Sequence, residues 1–167
     1  MEESVPINAD LEDSAPTVVC VDDEHSILRA LQRLLMDEDC EVVTALGGAE
    51  ALDILAHTPD VALIISDQRM PSMTGVEFLS QAKEVAPQAL RVMLTGYADI
   101  NATMNAVNEG EIWRYLTKPW DDGALILLVR DSLQRYHLEQ ENVRLRAEIE
   151  KKMLSSQAGT NASSSAF

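Results

Sequence analysis

The sequence has few basic residues and no long apolar run, and each shortage excludes a class of protein. Only 13 Lys and Arg residues stand against 28 Asp and Glu residues, which gives a net charge of -15. A chain this acidic is a poor direct ligand for nucleic acid or for an anionic membrane. It is better suited to holding a cation. No stretch of about eighteen apolar residues is present, so the sequence predicts no transmembrane helix.

Aromatic residues and cysteines are also scarce. Aromatics make up 4% of the chain, so its core must consist of the aliphatic residues that dominate its 46% hydrophobic content. The two cysteines, Cys20 and Cys40, suit a reducing compartment in which both thiols act as small apolar side chains. Residues 1–16 contain five acids and no base, the reverse of a secretory signal. We therefore expect a cytoplasmic protein.

Short apolar segments alternate five times with segments of helical periodicity. The apolar segments are residues 17–21, 41–45, 61–66, 90–94 and 112–116. Helices are indicated between them and after the last one. Thr74 is placed to cap the third helix, and Ile100, Met104 and Val107 mark the fourth. This alternation predicts an α/β fold, a doubly wound parallel sheet of five strands with helices on both faces.

Composition divides the chain into four predicted parts. Residues 1–16 are acidic and lack periodicity, which is typical of a disordered arm. Residues 17–135 carry the five strands and form the predicted globular domain. Residues 136–154 continue the last helix as a linker, and residues 155–167 are uncharged and rich in Ser and Ala, as expected for a flexible tail.

Chemically active side chains follow four of the five strands. Asp22 and Asp23 come after the first strand, Asp67 ends the third, Thr95 follows the fourth and Lys118 the fifth. In a parallel sheet these ends open on one edge, where ligands collect. Adjacent carboxylates repel one another unless a cation intervenes, and Mg²⁺ takes oxygen ligands of this kind. The sequence therefore predicts a magnesium site at this edge.

The same residues suit phosphoryl transfer to Asp67. A carboxylate can attack phosphorus, and catalysis of this transfer consists largely of positioning and charge neutralisation. Lys118 and the metal would offset the charge, while Thr95 and backbone N–H groups would bind the remaining oxygens. Purely structural roles for these residues stay open. The Asp22-Asp23 pair also suits a helix cap, Thr95 a turn residue and Lys118 a solvated surface lysine.

The chain resembles the response-regulator receiver domains of two-component signalling over about residues 17–135. The matching residues are Asp22-Asp23, Asp67, Met70-Pro71, Gly75, Thr95-Gly96, Tyr115 and Lys118-Pro119. The resemblance implies a flavodoxin-like sheet with strand order 2-1-3-4-5. The Thr-Gly-Tyr-Ala-Asp and Lys-Pro-Trp-Asp segments further resemble receivers joined to HD-type cyclic-dinucleotide phosphodiesterases.

By this resemblance, Asp67 accepts a phosphoryl group from the phosphohistidine of a histidine kinase or from a phosphotransfer protein. Asp23, Asp67 and the Arg69 carbonyl would bind Mg²⁺, with Mn²⁺ as an alternative ion, and Asp22 would bind it largely through water. A cis Lys118–Pro119 bond is also implied.

The same resemblance also assigns roles to residues that bind the phosphoryl group, switch with it or tune its lifetime. Thr95, Gly96 and Lys118 would bind the phosphoryl group, and Tyr115 would turn inward as Thr95 moves toward it, although Tyr115 also suits plain packing. The switch would act on the face formed by the fourth helix, fifth strand and fifth helix. Arg69 and Tyr97 would flank the path of the attacking water and tune the lifetime of the phosphoryl group. Arg69 otherwise fits a solvated loop.

The linker carries a short heptad pattern formed by Leu138, Asn142, Leu145 and Ile149. Asn142 falls at an a position, where a polar residue specifies register and a two-stranded coil. Glu141 and Arg146 fall at g and e positions, where they can pair between parallel helices. The pattern predicts a homodimer, and a solvated linker helix is the alternative because the pattern covers only about two heptads.

Two rival functions remain at this stage. One is a phosphatase of the haloacid-dehalogenase type, which needs a second Asp two residues after the nucleophile, where this chain has Arg69. The other is a binding module of the same fold that works without phosphorylation. We expect a signalling switch rather than an enzyme. The sequence shows no helix-turn-helix and no basic face. We therefore expect either that the protein signals by its receiver alone or that an effector domain has been cut away at the linker.

Overall fold

The computed structural model describes residues 14–164, with side chains described through residue 159. The acidic arm predicted for residues 1–16 lies almost wholly outside this range. Contacts between residues divide the described chain into two units, one ending at Leu133 and one beginning at Gln134. The first unit contains the sheet, and the second is the continuation of the last helix.

The sheet has five parallel strands in the order β2-β1-β3-β4-β5. The strands are β1 (Thr17–Val21), β2 (Glu41–Ala45), β3 (Val61–Asp67), β4 (Leu90–Thr95) and β5 (Arg114–Thr117). All five residues of β1 and the first six of β3 are buried, because helices cover both faces of a parallel sheet. The predicted fold class is confirmed.

Helices connect successive strands. They are α1 (His25–Leu35), α2 (Gly48–His57), α3 (Gly75–Val85), α4 (Ile100–Asn108) and α5 (Asp122–Ser164), with a 3-10 turn at Tyr97–Asp99. Thr74 caps α3: its hydroxyl accepts the Glu77 N–H, and the Glu77 carboxylate accepts the Thr74 N–H. This reciprocal pair satisfies two of the free amides at the start of the helix.

Helix α4 packs through small residues rather than through its large apolar ones. Thr103 and Ala106 are its buried residues, whereas Met104 is 47% exposed. Hydropathy alone favours the larger side chains, but small residues let a helix approach the sheet closely. The result places a hydroxyl, that of Thr103, inside the protein next to β4.

Helix α5 begins in the first unit and continues to Ser164. In the first unit it buries Leu125, Leu128 and Val129. The helix runs through residues 155–164, for which the composition predicted a tail. Extension of an existing helix adds one hydrogen bond for each residue that becomes ordered. A helix can therefore extend into a sequence that would not start a helix on its own. None of the described helices has the length and hydropathy needed to cross a membrane.

Candidate functional site

Three carboxylates converge at the carboxyl ends of β1 and β3. These strands are neighbours, and Val21 lies opposite Ser66 in their register, so Asp22, which follows β1, and Asp67, the last residue of β3, lie at the same edge of the sheet. Ligand oxygens of Asp22, Asp23 and Asp67 all lie within 4.8 Å of one another. The predicted convergence of distant acidic residues is therefore present in the fold.

Lys118 connects two of these acids. Its ammonium Nζ lies 2.8 Å from Asp22 Oδ2 and 3.2 Å from Asp67 Oδ1. The Asp22 side chain is 2% exposed and that of Lys118 is 23% exposed, so water screens their interaction only weakly. Lys118 is thus a half-buried partner of the acidic group rather than a solvated surface lysine.

Asp22 also accepts a second hydrogen bond. Its Oδ1 receives the Glu24 N–H at 2.9 Å, just before α1 begins at His25. The N-cap residue of α1 is Glu24, and no side chain makes a capping hydrogen bond there, so the capping interpretation of the Asp22-Asp23 pair is wrong. The second oxygen of Asp22 accepts a hydrogen bond from Lys118. The side chain of Asp23 is exposed, which leaves its carboxylate accessible.

The pKa values of Asp67 and Lys118 reflect this crowding. Burial raises the pKa of Asp67, and the charge of Asp22 raises it further, against the opposing effects of Lys118 and of the Gln68 N–H. For Lys118, burial alone would lower the pKa, but the hydrogen bond and charge of Asp22, together with Asp67, raise it above the usual value. The group thus has one ammonium for three carboxylates, and a further cation would relieve the repulsion between the carboxylates.

The loop after β3 is held tightly against Asp67. The Gly75 N–H donates to the Gln68 carbonyl at 2.9 Å, and the Val76 N–H donates to Gln68 Oε1 at 3.0 Å. A Cβ added to Gly75 would lie 2.2 Å from the Asp67 carbonyl oxygen and 2.8 Å from Met93 Sδ. Only glycine lets the start of α3 approach the reactive strand end this closely.

Thr95 ends β4, and its side chain is fully buried. Its hydroxyl donates to the Gly96 carbonyl at 3.3 Å and accepts from the Thr103 hydroxyl at 3.3 Å. The Lys118 N–H donates to the Thr95 carbonyl at 2.8 Å, which joins the ends of β4 and β5. The Lys118–Pro119 bond is cis, as the resemblance implied.

Arg69 forms an ion pair that the sequence did not reveal. Its Nε lies 2.8 Å from Asp99 Oδ2, at the end of the 3-10 turn that precedes α4. The hydrogen bond that Arg69 donates to Asp99 raises the pKa of the Arg69 guanidinium. Thirty residues separate the two partners, so only the fold could bring them together. Tyr97 is 77% exposed on the same turn.

Tyr115 lies half-buried on β5, where it packs against the core and lines a surface groove. The groove has a volume of about 420 Å³ and lies between α4, β5 and the first turns of α5. Its other lining residues include Val107, Trp113, Leu127 and Asp131. This is the face on which the sequence predicted the switch to act, and none of the three clustered carboxylates lines it.

The donor set fits a hard divalent cation. Three carboxylates from the ends of β1 and β3 place oxygens within 4.8 Å of one another, and no histidine or thiol is among them. Oxygen-only sites with exposed positions for water are the kind that Mg²⁺ and Mn²⁺ prefer. Among the described residues, Asp22, Asp23 and Asp67 form the group that could hold such an ion, and Lys118 bonds to two of them.

Comparisons with known proteins agree with this geometry. The family model described as "Response regulator receiver domain" matches residues 18–130. The hydrogenase transcriptional regulatory protein HoxA of Cupriavidus necator is 39% identical over 139 residues, which cover 83% of this chain and 28% of HoxA. The DNA-binding transcriptional regulator NtrC of Escherichia coli is 37% identical over 75% of this chain and 27% of its own length.

Solved structures show the same fold. The signal receiver domain of an HD domain-containing protein from Pseudomonas fluorescens is 38% identical, with a TM-score of 0.70 over 76% of this chain and 93% of that one. The receiver domain of a Clostridium thermocellum response regulator is 29% identical, with a TM-score of 0.69 over 74% and 98%. By contrast, the chain spans only about a quarter of the length of the curated relatives.

Proposed function

This chain belongs to the response regulator receiver domain family, and we propose that Asp67 is its phosphoryl-accepting residue. The main observation in support is that Asp22, Asp23 and Asp67 converge around one point, with Lys118 bonded to two of them. A phosphohistidine of a histidine kinase or of a phosphotransfer protein is the proposed donor. The proposed role is that of a signalling switch in a phosphorelay.

The proposed step forms one bond and breaks one. A carboxylate oxygen of Asp67 attacks phosphorus, the bond between phosphorus and the donor imidazole nitrogen breaks, and that nitrogen keeps the electron pair and takes up a proton. The product is an aspartyl phosphate. Its slow hydrolysis by water breaks the new phosphorus–oxygen bond and restores the carboxylate with release of inorganic phosphate.

The residues around Asp67 supply positioning and charge. The ammonium of Lys118 lies 3.2 Å from Asp67 Oδ1, so it would bind an oxygen of the phosphoryl group attached there. Thr95 would donate its hydroxyl to a phosphoryl oxygen, and the Gly96 backbone lies beside it. A bound Mg²⁺ or Mn²⁺ would supply charge neutralisation at the phosphoryl oxygens. Asp22, 1% exposed, would hold Lys118 in place throughout.

Phosphorylation by a small donor tests this proposal directly. The chain is incubated with Mg²⁺ and a small phosphodonor and its intact mass is measured, alongside Asp67→Asn and the control Asp53→Asn, which changes an exposed Asp on α2. We expect one phosphoryl group on the wild type and on the control and none on Asp67→Asn. A wild type that stays unmodified in excess donor and metal contradicts the proposal.

The same experiment separates the rival functions. A haloacid-dehalogenase-type phosphatase would release phosphate steadily, and a phosphorylation-independent module would not be labelled. The phosphatase is disfavoured because Arg69 stands where the second acid would be required, and its guanidinium is paired with Asp99. An arginine is a poor proton donor to a leaving group at neutral pH.

Arg69 and Tyr97 are proposed to tune the lifetime of the aspartyl phosphate. Arg69 is two residues from Asp67, and its guanidinium is held by an ion pair with Asp99. Tyr97 is the exposed aromatic residue on the turn that carries Asp99. Together they would restrict the approach of water, whereas Tyr115 would report the state of Thr95 to the groove.

We propose a parallel homodimer through the second unit. Leu138, Leu145 and Ile149 are between 42% and 57% exposed in the single chain, so the apolar heptad residues have no covering partner among the described residues. Asn142 would set the register, and Glu141 of one helix would pair with Arg146 of the other. Control of an output through this dimer or through the face of α4, β5 and α5 is part of the proposal.

Sedimentation with and without a phosphoryl analogue tests the dimer. Leu145→Ser removes a heptad residue, and Val143→Ser is the matched control because Val143 is exposed but lies off the heptad positions. We expect a dimer for the wild type and the control and a monomer for Leu145→Ser. A wild type that is monomeric in both states contradicts it.

A further inference from the structure

The buried hydroxyl of Thr103 has no role in the function proposed so far. Thr103 lies on α4 with its side chain fully buried, at a position where valine would fill the same space without requiring a hydrogen bond. Its hydroxyl donates to Thr95 Oγ1 at 3.3 Å. Mid-helix threonines commonly return their hydroxyl to the preceding turn of the same helix. Here the hydrogen bond instead leaves the helix and reaches the end of β4.

We infer that Thr103 is a positioning residue for Thr95, and that it couples α4 to the phosphoryl group. This inference rests on the proposed function of Asp67. Thr95 has one proton to donate, and in the structure that proton goes to the Gly96 carbonyl at 3.3 Å. Donation to a phosphoryl oxygen would break this bond but would leave the Thr95 lone pairs available to Thr103.

The two hydroxyls would then form a chain from α4 to the phosphoryl group. A hydroxyl that accepts a hydrogen bond becomes a better donor, because successive hydrogen bonds polarise one another. Thr103 would therefore strengthen the bond that Thr95 makes to the phosphoryl oxygen. A movement of Thr95 Oγ1 would also move α4. Both side chains are buried, so water would not replace the hydrogen bond between the two hydroxyls.

The backbone supports this assignment. The Lys118 N–H holds the Thr95 carbonyl at 2.8 Å and anchors the main chain of Thr95, so a movement of its hydroxyl toward the phosphoryl group would have to come from the side chain. On its other side, α4 is preceded by the 3-10 turn whose Asp99 binds Arg69. Helix α4 is thus connected to the site through the hydroxyl pair at its middle and through the ion pair at its start.

Phosphorylation kinetics of the full chain with a small phosphodonor and Mg²⁺ test the inference. Thr103→Val should slow labelling about fivefold, the effect of one neutral hydrogen bond lost in the transition state. Thr103→Ser, which restores the hydroxyl, should recover most of the rate. Ser132→Ala is the control, because it removes a buried helix hydroxyl bonded to the Leu128 carbonyl away from the site. It should leave the rate unchanged.

A double-mutant cycle shows whether Thr103 acts through Thr95. In a Thr95→Val background, Thr103→Val should have no further effect on the rate. The same four proteins are unfolded in urea without metal or donor, where the two substitutions should be non-additive. Rates of Thr103→Val equal to wild type, or an undiminished effect in the Thr95→Val background, would overturn the inference. A wild type that is never labelled overturns the function of Asp67 and this inference with it, while the urea cycle still reports the hydroxyl pair.

Discussion

Replacing Gly75 with alanine should damage the site in spite of helix propensity. Gly75 is the first residue of α3, and alanine in a helix is generally favoured over glycine by about 0.5–1 kcal/mol. Against this, the new Cβ would lie 2.2 Å from the Asp67 carbonyl oxygen, well inside the usual contact distance. Relief requires α3 or the end of β3 to move by about 1 Å, and such overpacking costs about 1–3 kcal/mol.

The same displacement would move the carboxylate of Asp67. A misplacement of about 1 Å can reduce a positioned reaction about 100-fold. We therefore expect Gly75→Ala to lose about 1–2 kcal/mol in urea denaturation and to be labelled by a small phosphodonor far more slowly than wild type. Gly47→Ala is the matched control, because it precedes α2 and its added Cβ would meet nothing within 4 Å. A Gly75→Ala chain at least as stable as wild type and labelled at the same rate would refute the reasoning.

Two further predictions follow from the charges of the site. In metal-free protein at neutral pH, Asp67→Asn should unfold at higher urea concentration than wild type, because the raised pKa of Asp67 means that its ionisation disfavours the folded state. The difference in stability between the two proteins should shrink as the pH falls through that raised pKa, and Mg²⁺ should also reduce it. An Asp67→Asn protein that is less stable than wild type at neutral pH contradicts this prediction. Separately, Arg69→Ala should shorten the half-life of the aspartyl phosphate several-fold, measured by loss of label after donor removal. Lys83→Ala, on α3 and away from the site, serves as its control, and an unchanged half-life for Arg69→Ala removes the tuning role.

The local pattern of the sequence was sufficient to predict the five strands and the residues that follow or end them. Strands β1 and β2 have the predicted bounds, and the cap of α3 lies at Thr74 as expected. These features depend on short-range signals, alternation and capping. The adjacency of β1 and β3 required the resemblance, since alternation alone does not order the strands.

Contacts between distant side chains escaped prediction. The pair of Arg69 with Asp99 and the hydroxyl pair of Thr103 with Thr95 depend on how closely α4 approaches the sheet. That distance is set by the small residues of α4, whereas hydropathy drew attention to Met104, which is exposed.

The position of β2 and β5 at the two ends of the strand order has a consequence for partner choice. Each is short, and each starts with an exposed charged residue, Glu41 in one case and Arg114 in the other. Charged, short outer strands discourage another chain from pairing its backbone there. Recognition must then occur through side chains on helices and loops. Substitutions on those outer surfaces could redirect the protein to a new partner while the buried strands, and the chemistry at their tips, stay as they are.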